Sequence, residues 1–189
     1  MSRMSRRNFL KFSASTVAGL AFSPFLPGFG SFDDAEQVRV ATNSVSVYSE
    51  PDDRSLIVRQ YFRDELVHIY KEVNAGKPAY NPIWYRVWGG YIHRGRVQKV
   101  KTIFNKPFDT FPEGTRQLAA LTVPYSQAMR YTRSYGWQPN LRLYYGSVHW
   151  IDGIDEGPDG EPWYRIFDEL VGFPYHVLAI HLRPIPFEE

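Results

Sequence analysis

One motif occurs twice in the chain, at almost the same place in two successive segments. The stretch IWYRVWGGYIH begins at Ile83 and PWYRIFDELVGFPYHV begins at Pro162, so that Trp84 lies 79 residues before Trp163. Alternate side chains of a β-strand face opposite sides. In Trp-Tyr-Arg followed by Val or Ile, the Trp and the Arg therefore share one face of a strand, and the Tyr and the Val or Ile share the other. We expect one of these faces to fill the core and the other to be exposed with an aromatic residue on it.

The strands around this motif follow the same order in both segments. Apolar and polar residues alternate from Val38 onward, and residues 67–70 (VHIY) lie 81 positions before residues 148–151 (VHWI). Several short strands with long early loops and a late, tight Gly-Gly hairpin are typical of a small barrel. We therefore predict an all-β fold with two small barrels in tandem. The predicted parts are a leader (1–34), a first domain (35–103), a linker (104–117) and a second domain (118–189).

The charge distribution argues against a polyanionic partner. The 189-residue chain has a formal net charge of +2. The predicted leader holds four basic and two acidic residues, which leaves 18 of each sign in the remainder. A neutral body lacks the basic patch that nucleic acid requires. There is no cysteine, which excludes disulfides, thiolate nucleophiles and iron–sulfur clusters, and we predict no cofactor and no metal.

The first 34 residues carry an export pattern. A paired arginine is followed by Phe-Leu-Lys and an uncharged run up to Asp33, which matches the bacterial twin-arginine signal. Small polar residues and two prolines interrupt that run, so a membrane-spanning helix is the weaker interpretation. We predict an extracytoplasmic envelope protein that contacts the translocase and the membrane only through this leader, either cleaved or kept as a tether. The predicted targeting residues are Ser5, Arg6, Arg7, Phe9, Leu10 and Lys11.

The closing strands of the first segment resemble those of bacterial SH3-like (SH3b) domains. Those domains often carry Trp-x-x-Val, then Gly-(Trp/Tyr)-(Val/Ile), then a final apolar pair. The resemblance implies SH3-like barrels. The second segment departs from the pattern, because its turn at 168–174 is longer than the Gly-Gly turn. In the first segment the places are filled by Trp84, Val87, Gly90, Tyr91, Ile92, Val97 and Val100.

As a whole, the chain resembles the N-terminal region of exported bacterial L,D-transpeptidases, in which an SH3-like region precedes a YkuD-family catalytic domain. The stretches TVPYSQAMRYTRSYGWQPNLRLYYGSVHWIDGIDEGPDGEPWYRI and YHVLAIHLRPI carry the likeness. It implies a role in peptidoglycan cross-linking, with peptidoglycan or a transpeptidase or other wall-synthesis domain as partner, and a catalytic domain starting near Glu189. The family's nucleophile is a cysteine, so no catalytic residue carries over. We expect a non-catalytic targeting or positioning region.

Other chemistry stays open as an alternative. Five carboxylates between Asp152 and Glu161 offer oxygen ligands for calcium or an acid/base pair, although their spacing departs from the EF-hand loop. The five histidines do not show a metal-ligand spacing. The alternatives to a wall-binding region are therefore an envelope hydrolase with an unrecognised carboxylate or histidine site, and a protein-interaction scaffold.

The aromatic residues supply the candidate ligand-binding side chains. The chain has 13 Tyr, 13 Phe and 5 Trp, more than small cores hide. Exposed Tyr and Trp suit contact with peptide or glycan, whereas the alternative is that they pack the two units, or another domain, together. The candidates are Trp84, Tyr91, Tyr135, Trp137, Tyr144, Trp150 and Trp163.

Overall fold

The predicted all-β class is confirmed in the computed structural model, which describes residues 36–111, 114–168 and 172–186. Fifteen strands and two one-turn 3-10 helices make up the regular structure of those residues. None of the helices in the described ranges is long and apolar enough to cross a membrane. The predicted leader, with Ser5 to Lys11, lies outside the described residues.

Eight strands form the first half, residues 36–100. They are β1 (Gln37–Val40), β2 (Ser44–Tyr48), β3 (Ile57–Phe62), β4 (Leu66–His68), β5 (Lys71–Asn74), β6 (Ile83–Val87), β7 (Gly90–His93) and β8 (Val97–Val100). They pair antiparallel in two sheets, one of order β4-β1-β8 and one of order β3-β2-β7-β6-β5. The 3-10 helix Arg94–Arg96 precedes the last strand.

Seven strands form the second half, residues 117–186. They are β9 (Gln117–Leu121), β10 (Tyr125–Thr132), β11 (Gly136–Tyr144), β12 (Val148–Glu156), β13 (Pro162–Asp168), β14 (Phe173–Leu178) and β15 (Leu182–Pro184). All seven belong to one sheet of order β11-β10-β14-β13-β12-β9-β15. The 3-10 helix Ala179–His181 again precedes the last strand.

The same pairing scheme occurs in both halves. The first strand lies between the last strand and a middle strand: β1 between β8 and β4, and β9 between β15 and β12. The second strand forms a hairpin with the third and also pairs with the penultimate one, as in β3-β2-β7 and β11-β10-β14. The repeated strand order expected from the two Trp-Tyr-Arg motifs is therefore present in the structure.

The prediction of closed barrels is wrong, because the sheets are open. In the first half, Ile69 and Tyr70 interrupt the extended run, so that β4 stays beside β1 while β5 joins the other sheet. In the second half, β12 continues without a break through a register shift between Ile151 and Gly153. It therefore pairs with both β13 and β9, which places all seven strands in one sheet. Its two edges, β11 and β15, do not pair with each other.

The buried residues form two apolar clusters, one in each half. Tyr85 in β6 and Tyr164 in β13, the tyrosines of the repeated motif, are both buried in these clusters, so the tyrosine face of each strand packs in the core. Tyr164 also accepts a hydrogen bond from the Phe108 backbone N–H at 2.9 Å. Because Phe108 and Phe111 pack against the second cluster, part of the segment predicted as a linker is docked on the second half.

A buried carboxylate joins the two halves. Asp64 accepts hydrogen bonds from Arg39 at 2.8 Å and from Arg142 at 2.6 Å, on either side of the boundary. Arg39 and Asp64 are among the few buried charged residues of the described chain. Arg39 also lies over the ring of Tyr144 at 4.1 Å and donates to Gln98. The halves are therefore tied by an ion-pair network as well as by the chain.

Candidate functional site: a groove beside Trp84

Two surface loops shape a groove at one end of the first half. The loop between β2 and β3 folds on itself, since Asp52 accepts a hydrogen bond from the Arg54 backbone N–H at 2.9 Å and Ser55 bonds Glu50 and Asp52. The bond from Arg54 lowers the pKa of Asp52, with the charges of Lys77 and Arg54 acting in the same direction. Asp52 is therefore a carboxylate at neutral pH, held in a fixed orientation.

Trp84 forms the floor of this groove. Its side chain is only 1% exposed, its indole N–H donates to the Lys77 carbonyl at 2.8 Å, and Tyr48 and His93 meet it edge-on at 5.6 and 5.0 Å. Trp84, one of the candidate ligand-binding aromatic residues, is therefore buried, because the 75–82 loop covers it. Trp84 therefore supports the surface that a ligand would contact, but it contributes little of that surface itself.

His93 is fixed by two backbone groups. Its Nε2 lies 2.8 Å from the Asn81 carbonyl, and its Nδ1 accepts a hydrogen bond from the Gly95 N–H at 3.3 Å. A carbonyl can only accept, so the proton is on Nε2 and the ring is in its neutral form in this arrangement. Both ring nitrogens of His93 are hydrogen-bonded to backbone groups. The ring therefore caps the Arg94–Arg96 turn and is not arranged to act as a general base.

The space above Trp84 consists of two adjoining clefts of about 220 and 290 Å³, which share Asp53, Pro78 and Trp84. We call the two clefts together the Trp84 groove. Carboxylates and cationic side chains both line it, with tyrosine rings among them. A groove with both signs of charge and aromatic walls suits a small ligand that carries amino and carboxyl groups. The charged and aromatic lining residues are Tyr48, Asp52, Asp53, Arg54, Lys77, Tyr80, His93 and Arg96.

In the second half a loop also packs directly against the equivalent tryptophan. Trp163 occupies the place of Trp84 in the repeated motif, and its indole N–H donates to Asp159 at 2.8 Å. The backbone of Gly157 lies directly against the indole, so close that a Cβ on Gly157 would overlap it. The loop at 156–161 therefore covers Trp163, much as the 75–82 loop covers Trp84.

The structure divides the seven predicted ligand residues among several places. Trp137 and Trp163 pack together, with ring centroids 6.3 Å apart, while Trp84 lies in the other half. Tyr144 lies beneath Arg39 in the junction between the halves, as the packing alternative expected. The remaining three sit elsewhere: Tyr91 under Arg86, Tyr135 exposed in the β10–β11 turn, and Trp150 partly exposed on β12.

Three of the five carboxylates considered for calcium or acid/base chemistry are engaged by side chains. Asp152 accepts a hydrogen bond from Arg165 at 2.8 Å, Asp155 lies 2.9 Å from Nε2 of His176, and Asp159 binds the Trp163 indole. Within residues 36–111, 114–168 and 172–186, no three acidic or histidine side chains converge as a metal site would require. The structure does not support the calcium alternative in these residues.

Sequence reasoning missed several residues of the groove. Tyr80 is 87% exposed and stands between Pro78 and Pro82, in a loop outside the alternating strands. Asp53 and Arg96 were also missed, because neither belongs to an aromatic or alternating pattern. Two prolines close to an exposed tyrosine were the available signal, since they restrict the loop that presents it.

No model of a known protein family matches the sequence, and no curated protein matches it. Among solved structures, the chain is similar to that of NlpC1 from Trichomonas vaginalis, with 17% identity and a TM-score of 0.30 over 86% of this chain and 50% of the other. NlpC2 from Trichomonas vaginalis has 17% identity and a TM-score of 0.27 over 81% and 49% of the two chains. This chain thus spans about half the length of each. Similarities at these scores support no assignment of family or activity.

Proposed function

We propose that this chain is an exported, non-catalytic pair of SH3-like units that binds the peptide part of the cell wall through the Trp84 groove. In this proposal the twin-arginine leader directs export, and the two units position an L,D-transpeptidase or related wall enzyme on peptidoglycan. The transpeptidase association rests on the sequence resemblance alone.

The SH3-like part of the proposal is supported by the strand order. In each half a long hairpin precedes the middle strands, and a one-turn 3-10 helix precedes a last strand that pairs with the first. The first half also holds the motif residues in matching places: Val87 and Ile92 are buried, and Gly90 packs against the backbone of Tyr48, where a Cβ would not fit.

The observation that carries the ligand assignment is the mixture of charges around the Trp84 groove. Wall peptides carry free amino and carboxyl groups, which Asp53 on one side and Arg96 or Lys77 on another can pair with. The rigid rings of Tyr48 and Tyr80 add contact area with little loss of conformational entropy. A nucleic acid or another polyanion would meet Asp52 and Asp53 in the same groove, which disfavours it.

A binding role is also favoured over catalysis in this groove. Its histidine has both ring nitrogens bonded to backbone groups, and Asp52 is held ionised by the Arg54 N–H. Neither group is arranged to exchange a proton with a substrate.

Sedimentation with purified sacculi tests the proposal. The full chain is incubated with peptidoglycan, and the pellet, supernatant and muropeptide profile are measured. We expect the chain in the pellet and an unchanged muropeptide profile. The variant Arg96→Glu reverses a charge in the groove and should lower binding at least tenfold, whereas Arg94→Glu, an exposed neighbour that does not line the groove, is the matched control.

Each other outcome contradicts the proposal in a different way. New or lost cross-links would indicate a hydrolase or transferase activity in this chain. Recovery of the chain in the supernatant would favour an interaction scaffold without wall affinity. Equal binding by the Arg96→Glu and Arg94→Glu variants would place wall contact outside the Trp84 groove.

A further inference from the structure

A second aromatic surface lies in the other half, on the β10–β11 hairpin. Tyr131 in β10 stands directly opposite Trp137 in β11, and their ring centroids are 5.3 Å apart. Tyr131 is 55% exposed, and Tyr135 in the connecting turn is 79% exposed. We call Tyr131, Tyr135 and Trp137 the hairpin platform. It is a set of aromatic side chains on the surface, away from the apolar cluster of the second half.

The platform stands on a rigid floor. Trp137 packs against Trp163 at 6.3 Å and meets the ring of His176 edge-on at 5.0 Å. Trp163 is itself fixed by its hydrogen bond to Asp159 and by the close backbone of Gly157. Contacts on several sides hold Trp137 in one orientation, so a ligand that stacks on it meets a surface that is already ordered.

Polar groups of both signs border the platform. His176 donates through Nε2 to Asp155 at 2.9 Å, and Arg165 binds Asp152 at 2.8 Å and lies 3.7 Å from Asp155. Nδ1 of His176 is buried and has no hydrogen-bond partner among the described residues. Side chains of Asp155 and Arg165 are 43% and 39% exposed, so both can reach a ligand.

The geometry points to a neutral oligosaccharide as the ligand of the hairpin platform. The C–H groups on one face of a pyranose ring are weakly positive and pack on the negative face of an aromatic ring. Its hydroxyl groups both donate and accept, which matches the mixed rim of Asp155 and Arg165. A polyanion would meet Asp155 and Asp159, and a polycation would meet the exposed Arg130 and Arg133.

This inference goes beyond the proposed peptide site, because it concerns other residues and another class of ligand. A chain that bound peptide in one half and glycan in the other would hold a wall polymer at two points. The second contact would then form at a high effective concentration, since the Asp64 network ties the halves together.

Titration with free oligosaccharides tests it without any peptide present. The full chain is titrated with the β-1,4-linked hexamers of N-acetylglucosamine and of glucose, both neutral, and binding is followed by calorimetry. We expect saturable binding of at least one hexamer. Tyr131→Ala should weaken that binding at least tenfold, while Tyr131→Phe should restore most of it because the ring is kept.

The control is Tyr70→Ala, which removes a similarly exposed tyrosine (63% against 55% for Tyr131) from the first half and should leave hexamer binding unchanged. Absence of binding to both hexamers, or equal binding by wild type and Tyr131→Ala, would overturn the inference. Binding of the glucose hexamer alone would sustain the platform as a glycan site and count against a wall glycan as its ligand. None of these results depends on the sacculus experiment, so the two proposals fail separately.

Discussion

Asp64 accepts a hydrogen bond from Arg142 across the boundary between the two halves of the fold, at 2.6 Å. Its backbone adopts a φ of 68°, a left-handed conformation that side chains other than glycine rarely adopt. The equivalent turn in the second half has Gly146 at a φ of 78°. Both residues donate their N–H to the strand opposite, Asp64 to Val40 and Gly146 to Leu121. An aspartate thus stands where the repeat places a glycine, and it uses that position to bind Arg39 and Arg142.

Replacing Asp64 should strongly destabilise the fold. Asp64→Ala leaves Arg39 buried without its anion, and breaking a buried ion pair in this way costs roughly 3–5 kcal/mol. The free energy of unfolding, measured in denaturant, should fall by about that amount. Arg142→Ala should cost less, because Arg142 is exposed and its loss leaves Asp64 paired with Arg39. Equal stabilities for wild type and Asp64→Ala would contradict the role assigned to the network.

The floor of the Trp84 groove offers a second test. Trp84→Phe removes the indole donor and leaves the Lys77 carbonyl without it, which should lower the free energy of unfolding by about 1–3 kcal/mol. The matched control is Trp88→Phe, since Trp88 is 68% exposed and makes no such bond in the described residues. Its change should stay within about 0.5 kcal/mol. Unfolding of the two variants at the same denaturant concentration would contradict the role assigned to the Trp84 indole.

Gly157 should resist substitution because its backbone lies against Trp163. Gly157→Ala places a methyl group into the indole and should cost about 1–3 kcal/mol through overpacking. Thermal unfolding followed by tryptophan fluorescence measures the loss. Glu156→Ala, an exposed neighbour, serves as the control and should have a small effect. A stable Gly157→Ala variant would mean that the 156–161 loop is not packed over Trp163.

Stability should depend on pH through His181. Burial lowers the pKa of His181 below the ordinary histidine value of 6.5, and its Nδ1 lies 2.8 Å from the Ser126 hydroxyl. The unfolded chain therefore takes up this proton at a higher pH than the folded chain. Stability should fall as the pH is lowered from about 6.5 towards the folded-state pKa of His181. Denaturant melts of wild type and His181→Gln between pH 7.5 and pH 5 check this: the variant should show a shallower slope, and parallel slopes would contradict it.

The all-β class and the repeated strand order could be predicted because both are local patterns. Alternation in IWYRV and PWYRI determines which side chains can share a face, and the burial of Tyr85 and Tyr164 agrees with it. Barrel closure could not be predicted, since alternation reveals neither the break at Ile69 and Tyr70, which divides the first half between two sheets, nor the lack of pairing between the edge strands β11 and β15 of the second half. The burial of Trp84 depends on a loop that reaches it from outside its own strand.

The candidate groove was also hard to predict for a physical reason. Its charged residues, such as Asp53 and Arg96, come from separate loops and converge only after folding. The left-handed backbone conformation of Asp64 was missed because nothing in the neighbouring sequence distinguishes this residue from an ordinary turn aspartate. The alternating pattern therefore does not predict contacts between loops or contacts between the two halves.

The central claim is that the Trp84 groove binds wall peptide. Backbone amide shifts of the ¹⁵N-labelled full chain, recorded during titration with a glycan-free stem peptide, test it most directly. We predict saturable shifts concentrated at Asp53, Tyr80 and Arg96, with the β10–β11 hairpin unaffected. No saturable shift at millimolar peptide, or shifts concentrated away from these three residues, would contradict the claim.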